Sequence, residues 1–199
     1  MALSKIQAES MNLADTYAFT GTVSGAGKME LISSDTTGAS NVAYSDITLS
    51  QNTDYHHQIL VLNGYYHSSV TETGFRLIEG GSAISASGSY HCQRIGKRDG
   101  VNTNGSSNQN KDDIRVNWYS LGNSSSEPSD IFLKIFNSTS SSLKTTIHVE
   151  LNGFSDDARI TTNYANAIRL ASAVAEGIRL RAATGNISYA NYALYGVKL

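Results

Sequence analysis

The stretch GIRLRAATGNISYANYALYGVKL, residues 177–199, has the clearest period in the chain. Ile178, Leu180 and Ala182 alternate with Arg179 and Arg181, and Thr184-Gly185-Asn186 interrupts the run. Ala193, Tyr195, Val197 and Leu199 then alternate with Tyr192, Leu194, Gly196 and Lys198. A period of two is that of a strand with one face buried, so the stretch predicts two strands around a turn.

The same signature recurs upstream. KMELIS (28–33), SDITLS (45–50) and HHQILVLNGYYHS (56–68) are bounded by Gly, Ser, Asn or Asp, the residues of turns. FRLIE (75–79), GSYHCQRI (88–95), DIRVNWYS (113–120), DIFLKIFN (130–137) and LKTTIHVELN (143–152) continue the series. RDGVNTNGSSNQNKDD and GNSSSEPSD, with the sole proline Pro128, read as connections between strands. Many short strands with polar turns and no fixed repeat predict an all-β fold, a jelly-roll-like antiparallel β-sandwich over residues 21–199. Residues 1–20, MALSKIQAESMNLADTYAFT, have only sparse apolar points at Leu3, Ile6 and Leu13. They read as an extended N-terminal arm, either frayed or docked on a partner subunit. ANAIRLASAVAEGIRL, from Ala165, is rich in helix formers but lacks a capping box, so a loop or single helical turn is expected before a strand from Ile178.

Hydrophobic residues make up 40% of the 199 residues and charged residues 16%, with a net charge of -2. The surface implied is neutral and hydroxyl-rich, without the basic stripe that nucleic-acid binding requires. The single cysteine, Cys92, rules out an intrachain disulfide and reads as a small buried hydrophobe. No leader pattern and no apolar run of membrane-spanning length is present, so assembly in a cytoplasm without membrane insertion is expected.

His56, His57, His67, His91 and His148 match no metal-ligand spacing, and neither a metal nor a cofactor is expected. Asp112-Asp113 and Asp156-Asp157 are paired acids of the kind used by calcium sites and glycosidases, but they stand in or beside turns, where Asp is ordinary. With no nucleophile elbow, phosphate loop or dinucleotide fingerprint, a non-enzymatic role is expected.

Eleven tyrosines against five phenylalanines and one tryptophan favour rings with a polar handle, which suit interfaces and sugar-binding surfaces. One of Tyr65 and Tyr66 is expected in the core and the other outside, and the same holds for Trp118 and Tyr119. Tyr65, Tyr66, Tyr90 and Trp118, with Arg94 and Arg98 from the basic run QRIGKRD, are the candidate ligand-binding residues.

The final segment, with Thr184-Gly185-Asn186 and Leu194-Tyr195-Gly196, resembles the closing hairpin of β-sandwich virion proteins of tailed bacteriophages, especially tail-fibre and receptor-binding modules. The opening LADTYAFTGTVSGAG, with FTGTVSG at 19–25, is similar to the linker of such fibres. Thr184 stands where the family often has serine. The resemblance implies a homotrimer whose last strand lies inside a sheet, attached to other virion proteins through the N-terminal arm. It implies a tail fibre or receptor-binding tip that meets a host-surface glycan, with a capsid decoration or cement protein as the alternative.

Overall fold

The structure, a computed structural model, describes residues 28–99, 101–102, 106–117, 121–155 and 159–198. The N-terminal arm, Trp118 and the Asp156-Asp157 pair lie outside the described residues.

The first strands are β1 (Met29–Asp35), β2 (Ala39–Val42), β3 (Tyr44–Thr48), β4 (Tyr55–His67) and β5 (Thr73–Glu79). Next come β6 (Ser82–Ala83), β7 (Tyr90–Arg98), β8 (Val101–Asn102), β9 (Ser106–Lys111) and β10 (Ile114–Arg115). The series ends with β11 (Ser129–Phe136), β12 (Thr146–Phe154), β13 (Ile160–Arg169), β14 (Gly177–Ala182), β15 (Ile187–Tyr189) and β16 (Asn191–Lys198). Among the described residues no helix is long and apolar enough to cross a membrane.

The strands form two antiparallel sheets of an all-β sandwich. The larger runs β1-β16-β4-β11-β12-β13-β7, with β8 and β9 paired to β7, and the smaller runs β10-β5-β14-β3. The two orders share a pattern. Read as chain neighbours, β1/β3, β16/β14, β4/β5 and β11/β10 lie in the same sequence in both sheets. The centre of the molecule is thus one set of antiparallel runs folded over on itself. β15, paired with both β2 and the end of β4, occupies the bend. The last strand, β16, sits between β1 and β4, so it is inside the sheet, as the terminal resemblance implies.

Glycine makes the bend possible. Gly64 has φ 67°, and opposite it the β4–β11 register shifts between Ser129 and Ile131. A left-handed residue at a bulge adds twist and re-aims the strand, and only glycine takes that conformation without strain. On the returning run Gly185 has φ 75°, and a Cβ there would lie 2.8 Å from the Ser69 hydroxyl. Asn186 then ties the bend to both neighbours: its amide donates to Ser68 Oγ at 2.9 Å and its side chain to the Asn41 carbonyl at 3.1 Å. The Thr184-Gly185-Asn186 stretch is therefore a corner.

The inner faces follow the period of two. Leu60, Leu62, Ile131, Leu133, Ile135, Ile147 and Leu151 of the larger sheet are buried against Ile47, Phe75, Leu77, Ile178 and Leu180 of the smaller. Each side chain taken fully from water contributes about 1.5–3 kcal/mol, and this layer is the main source of stability. In Leu194-Tyr195-Gly196 the leucine enters the core, the tyrosine points outward, and the glycine leaves room for the Tyr55 ring 2.5 Å from where a Cβ would stand.

Three expectations are corrected. Residues 165–169 are neither loop nor helical turn but the end of β13, and only 170–176 are irregular. Ala165 and Ala167 alternate inward there, and β13 pairs along its length with β12 and β7, so hydrogen bonding on both sides overrides alanine's helix propensity. The polar stretch read as a connection contains β8 and β9, edge strands with no apolar period to reveal them. DIRVNWYS, in turn, contributes only Ile114–Arg115 as strand among its described residues.

Candidate functional site

The strand positions of five of the six candidate residues set their fates, Trp118 lying outside the described residues. Tyr65 lies just past the Gly64 bulge and is fully buried. Its hydroxyl lies 3.2 Å from His67 Nε2, and Thr73 Oγ1 lies 3.3 Å from the same nitrogen. Burial pushes the Tyr65 phenol well above its ordinary range and drives the His67 imidazole down to about 4, so both are neutral. Tyr90 is also fully buried: it accepts from the Leu77 amide at 2.9 Å and donates to the Ile84 carbonyl at 3.3 Å. These two tyrosines hold the sheets together and present no ring to a ligand.

Arg94 turns inward as well. It donates to Glu72 at 2.8 Å and to the Asn117 carbonyl. Glu72 also binds Arg115, Arg115 binds Asp113, and Asp113, 1% exposed, binds Arg181 at 2.6 Å. This chain of ion pairs joins β7 of the larger sheet to β10 and β14 of the smaller. Asp112 is paired with Arg76 at 2.7 Å. Of the acids that could have suggested hydrolysis, Asp112 and Asp113 are therefore engaged by arginines. Arg98 is half-buried at the end of β7, opposite Thr161 of β13.

Among the described candidate tyrosines, Tyr66 is left at the surface. Half-buried, it lines a cleft of about 400 Å³ at the bend, with Thr37, Ser40, Ser125, Pro128 and Ser188. Ser188 is fixed by the Asn41 amide, which donates to its Oγ at 2.8 Å, and Tyr189 by a 2.8 Å hydrogen bond between its hydroxyl and Ser45 Oγ. The cleft thus combines two tyrosines, Tyr66 and the largely buried Tyr189, with several hydroxyls. Ring stacking with hydroxyl hydrogen bonding is how a neutral surface holds a sugar.

A second surface was not anticipated from the sequence. The outer face of the larger sheet bears rows set by the strand registers: Leu31, Tyr195, Ile59, Lys134 and His148 in one, and Ala193, Val61, Phe132, Glu150, Tyr164 and Ile95 in the next. At one end His57 stacks on Phe136 with ring centres 5.0 Å apart, and His148 meets that ring edge-on at 5.4 Å. The Nδ1 atoms of His56 and His57 lie 3.1 Å apart, one donating and one accepting. Burial, then His56 and Lys134, hold the His57 imidazole below its usual range. Among the described residues no three His, Cys, Asp or Glu side chains are grouped to hold a metal ion. The signal for this face was present in the sequence: ILVL at 59–62 is apolar at every position rather than alternating.

No protein-family model matches the chain, and no curated protein matches it as a relative.

Proposed function

We propose that this chain is a non-enzymatic bacteriophage virion structural protein, a tail fibre or receptor-binding tip that attaches to the host, with the arm of residues 1–20 reaching other virion proteins. The observation that carries the reading is the Tyr66 cleft, tyrosines among hydroxyls fitted to a neutral host-surface glycan. It is supported by the two terminal motifs, whose residues have definite structural tasks: Thr184-Gly185-Asn186 makes the corner and Leu194-Tyr195-Gly196 locks the last strand into the sheet. Asp112 and Asp113, bound to arginines, lend no support to glycan hydrolysis.

The test is binding of the purified protein to host cells and to their surface polysaccharide. Replacing Tyr66 with alanine is expected to weaken both by tenfold or more while leaving the unfolding midpoint in place. Unchanged binding would remove the cleft as the receptor site. The apolar outer face of the larger sheet favours a second reading, a capsid decoration or cement protein packed among neighbours. Antibody labelling of intact particles separates the two, since a tail fibre is labelled at the tail and a cement protein over the shell.

A further inference from the structure

In an antiparallel sandwich with solvent on both outer surfaces, each strand alternates apolar inward and polar outward; an uninterrupted apolar run is the pattern of a strand covered on both faces. β14 obeys the first rule, with Ile178 and Leu180 inside and Arg179 and Arg181 outside. β4 obeys the second. Leu60 and Leu62 fill the core, while Ile59 and Val61 point the other way, beside Phe132 of β11 and Ala193 and Tyr195 of β16. Leu31 of β1 is 59% exposed, Tyr164 of β13 47% and Ile95 of β7 45%, all on this same face.

We propose that a second copy of this chain covers the outer face of the larger sheet, with Ile59, Val61, Phe132 and Tyr164 at the centre of the contact. The proposal stands independently of the glycan reading. Two observations select a copy of the chain as occupant. The charges on the face have both signs in near balance, Lys134 and Lys97 against Glu150 and Asp130, so like faces attract where a face of one sign would repel its own copy. The size also fits: seven strands about 4.8 Å apart and four outward rows about 6.8 Å apart outline roughly 900 Å², against about 800 Å² per partner in a standard interface. Aromatic and aliphatic side chains with few charges are the make-up of an interface centre.

The test is the mass of the full chain by light scattering between about 1 and 100 µM, with two face variants, Val61→Lys and Phe132→Glu, and Arg179→Ala of the opposite sheet as control. The wild type and the control are expected at a multiple of the chain mass. Each face variant is expected to weaken association at least a hundredfold, with its circular dichroism unchanged. A wild type that stays a single chain at the highest concentration would overturn the proposal and leave residues 1–27 or a different virion protein as the cover. Face variants that keep the wild-type mass would overturn it too. Should the variants fail to fold, the unaltered protein decides: isotopically light and heavy chains are mixed and joined with an amine-to-carboxyl reagent. Light-to-heavy links through Lys134 support the proposal, and links found only through lysines off this face sink it.

Discussion

The smaller sheet turns outward a set of charges already paired within the chain. Arg179 holds Asp46 through bonds of 2.7 and 2.6 Å and lies 3.8 Å over the Tyr44 ring, and Arg76 holds Asp112. The larger sheet turns outward Ile59, Val61, Phe132 and Tyr164, aliphatic and aromatic groups, with Lys134 Nζ 5.7 Å over the Phe132 ring. Both sheets use the same inward leucines and isoleucines, so the difference owes nothing to the needs of the core. A face whose charges are satisfied internally is finished, and water is its natural neighbour. A face of aliphatic and aromatic groups leaves apolar surface in water at about 25 cal/mol per Å², a cost removed when something covers it.

The sharpest way to probe this contrast is to change neighbours that point in opposite directions. Leu60→Ala, inward on β4, is expected to cost about 4 kcal/mol in denaturant unfolding because it opens a cavity in a packed layer. Val61→Ala, one residue on but outward, is expected to cost under about 1 kcal/mol at dilute, single-chain concentration. Equal losses would mean that the outer face is already covered within one chain.

Next in size is the ion-pair chain that joins the two sheets. Asp113→Ala is expected to cost about 3 kcal/mol, since it strips Arg181 and Arg115 of a shared, buried carboxylate. Urea unfolding of Asp113→Ala and of Arg181→Ala, with the double variant, measures the coupling. Strictly additive losses would show that the network is not acting as a unit.

Acid tests the bend. Because the folded-state value for His67 is depressed from 6.5 to about 4, the unfolded chain binds its proton more readily. Stability from this group is therefore complete above pH 6.5 and lost progressively as pH falls toward 4, by about 3 kcal/mol in all. Unfolding free energy measured across that window should flatten in His67→Gln, and a profile with unchanged slope would exclude His67 as the source.

The smallest effect is expected at the finished face. Arg179→Ala should cost about 0.5 kcal/mol, less in high salt, because its pair with Asp46 is partly solvated. A loss several times larger, insensitive to salt, would mean that this face too is covered.

Most strands were legible because β5, β11, β12, β14 and β16 display their period in the residues themselves, and β4 its unbroken apolar run. β13 was hidden behind Ala165 and Ala167, whose propensity speaks for helix while their pairing partners impose strand. β9 was hidden because its run of Ser, Asn and Gln carries no apolar period. For the site, the sequence identified that one of Tyr65 and Tyr66 would be buried, but not which. The Gly64 bulge settles it, sending Tyr65 into the core and leaving Tyr66 at the cleft. Tyr90 and Arg94 misled because a polar handle or a charge also serves to satisfy buried partners, the Leu77 amide and Glu72.

The sequence by itself determined the all-β class, the inward residues of β14 and the turn at Gly185, because period and turn chemistry are local properties. Only the tertiary structure decided that the runs fold over in register and that Asp113 is enclosed by two arginines. Only it assembled Ile59, Val61, Phe132 and Tyr164 from β4, β11 and β13 into one exposed face. Those outcomes depend on which strands become neighbours, and neighbours far apart in the chain are chosen by the packing of the whole.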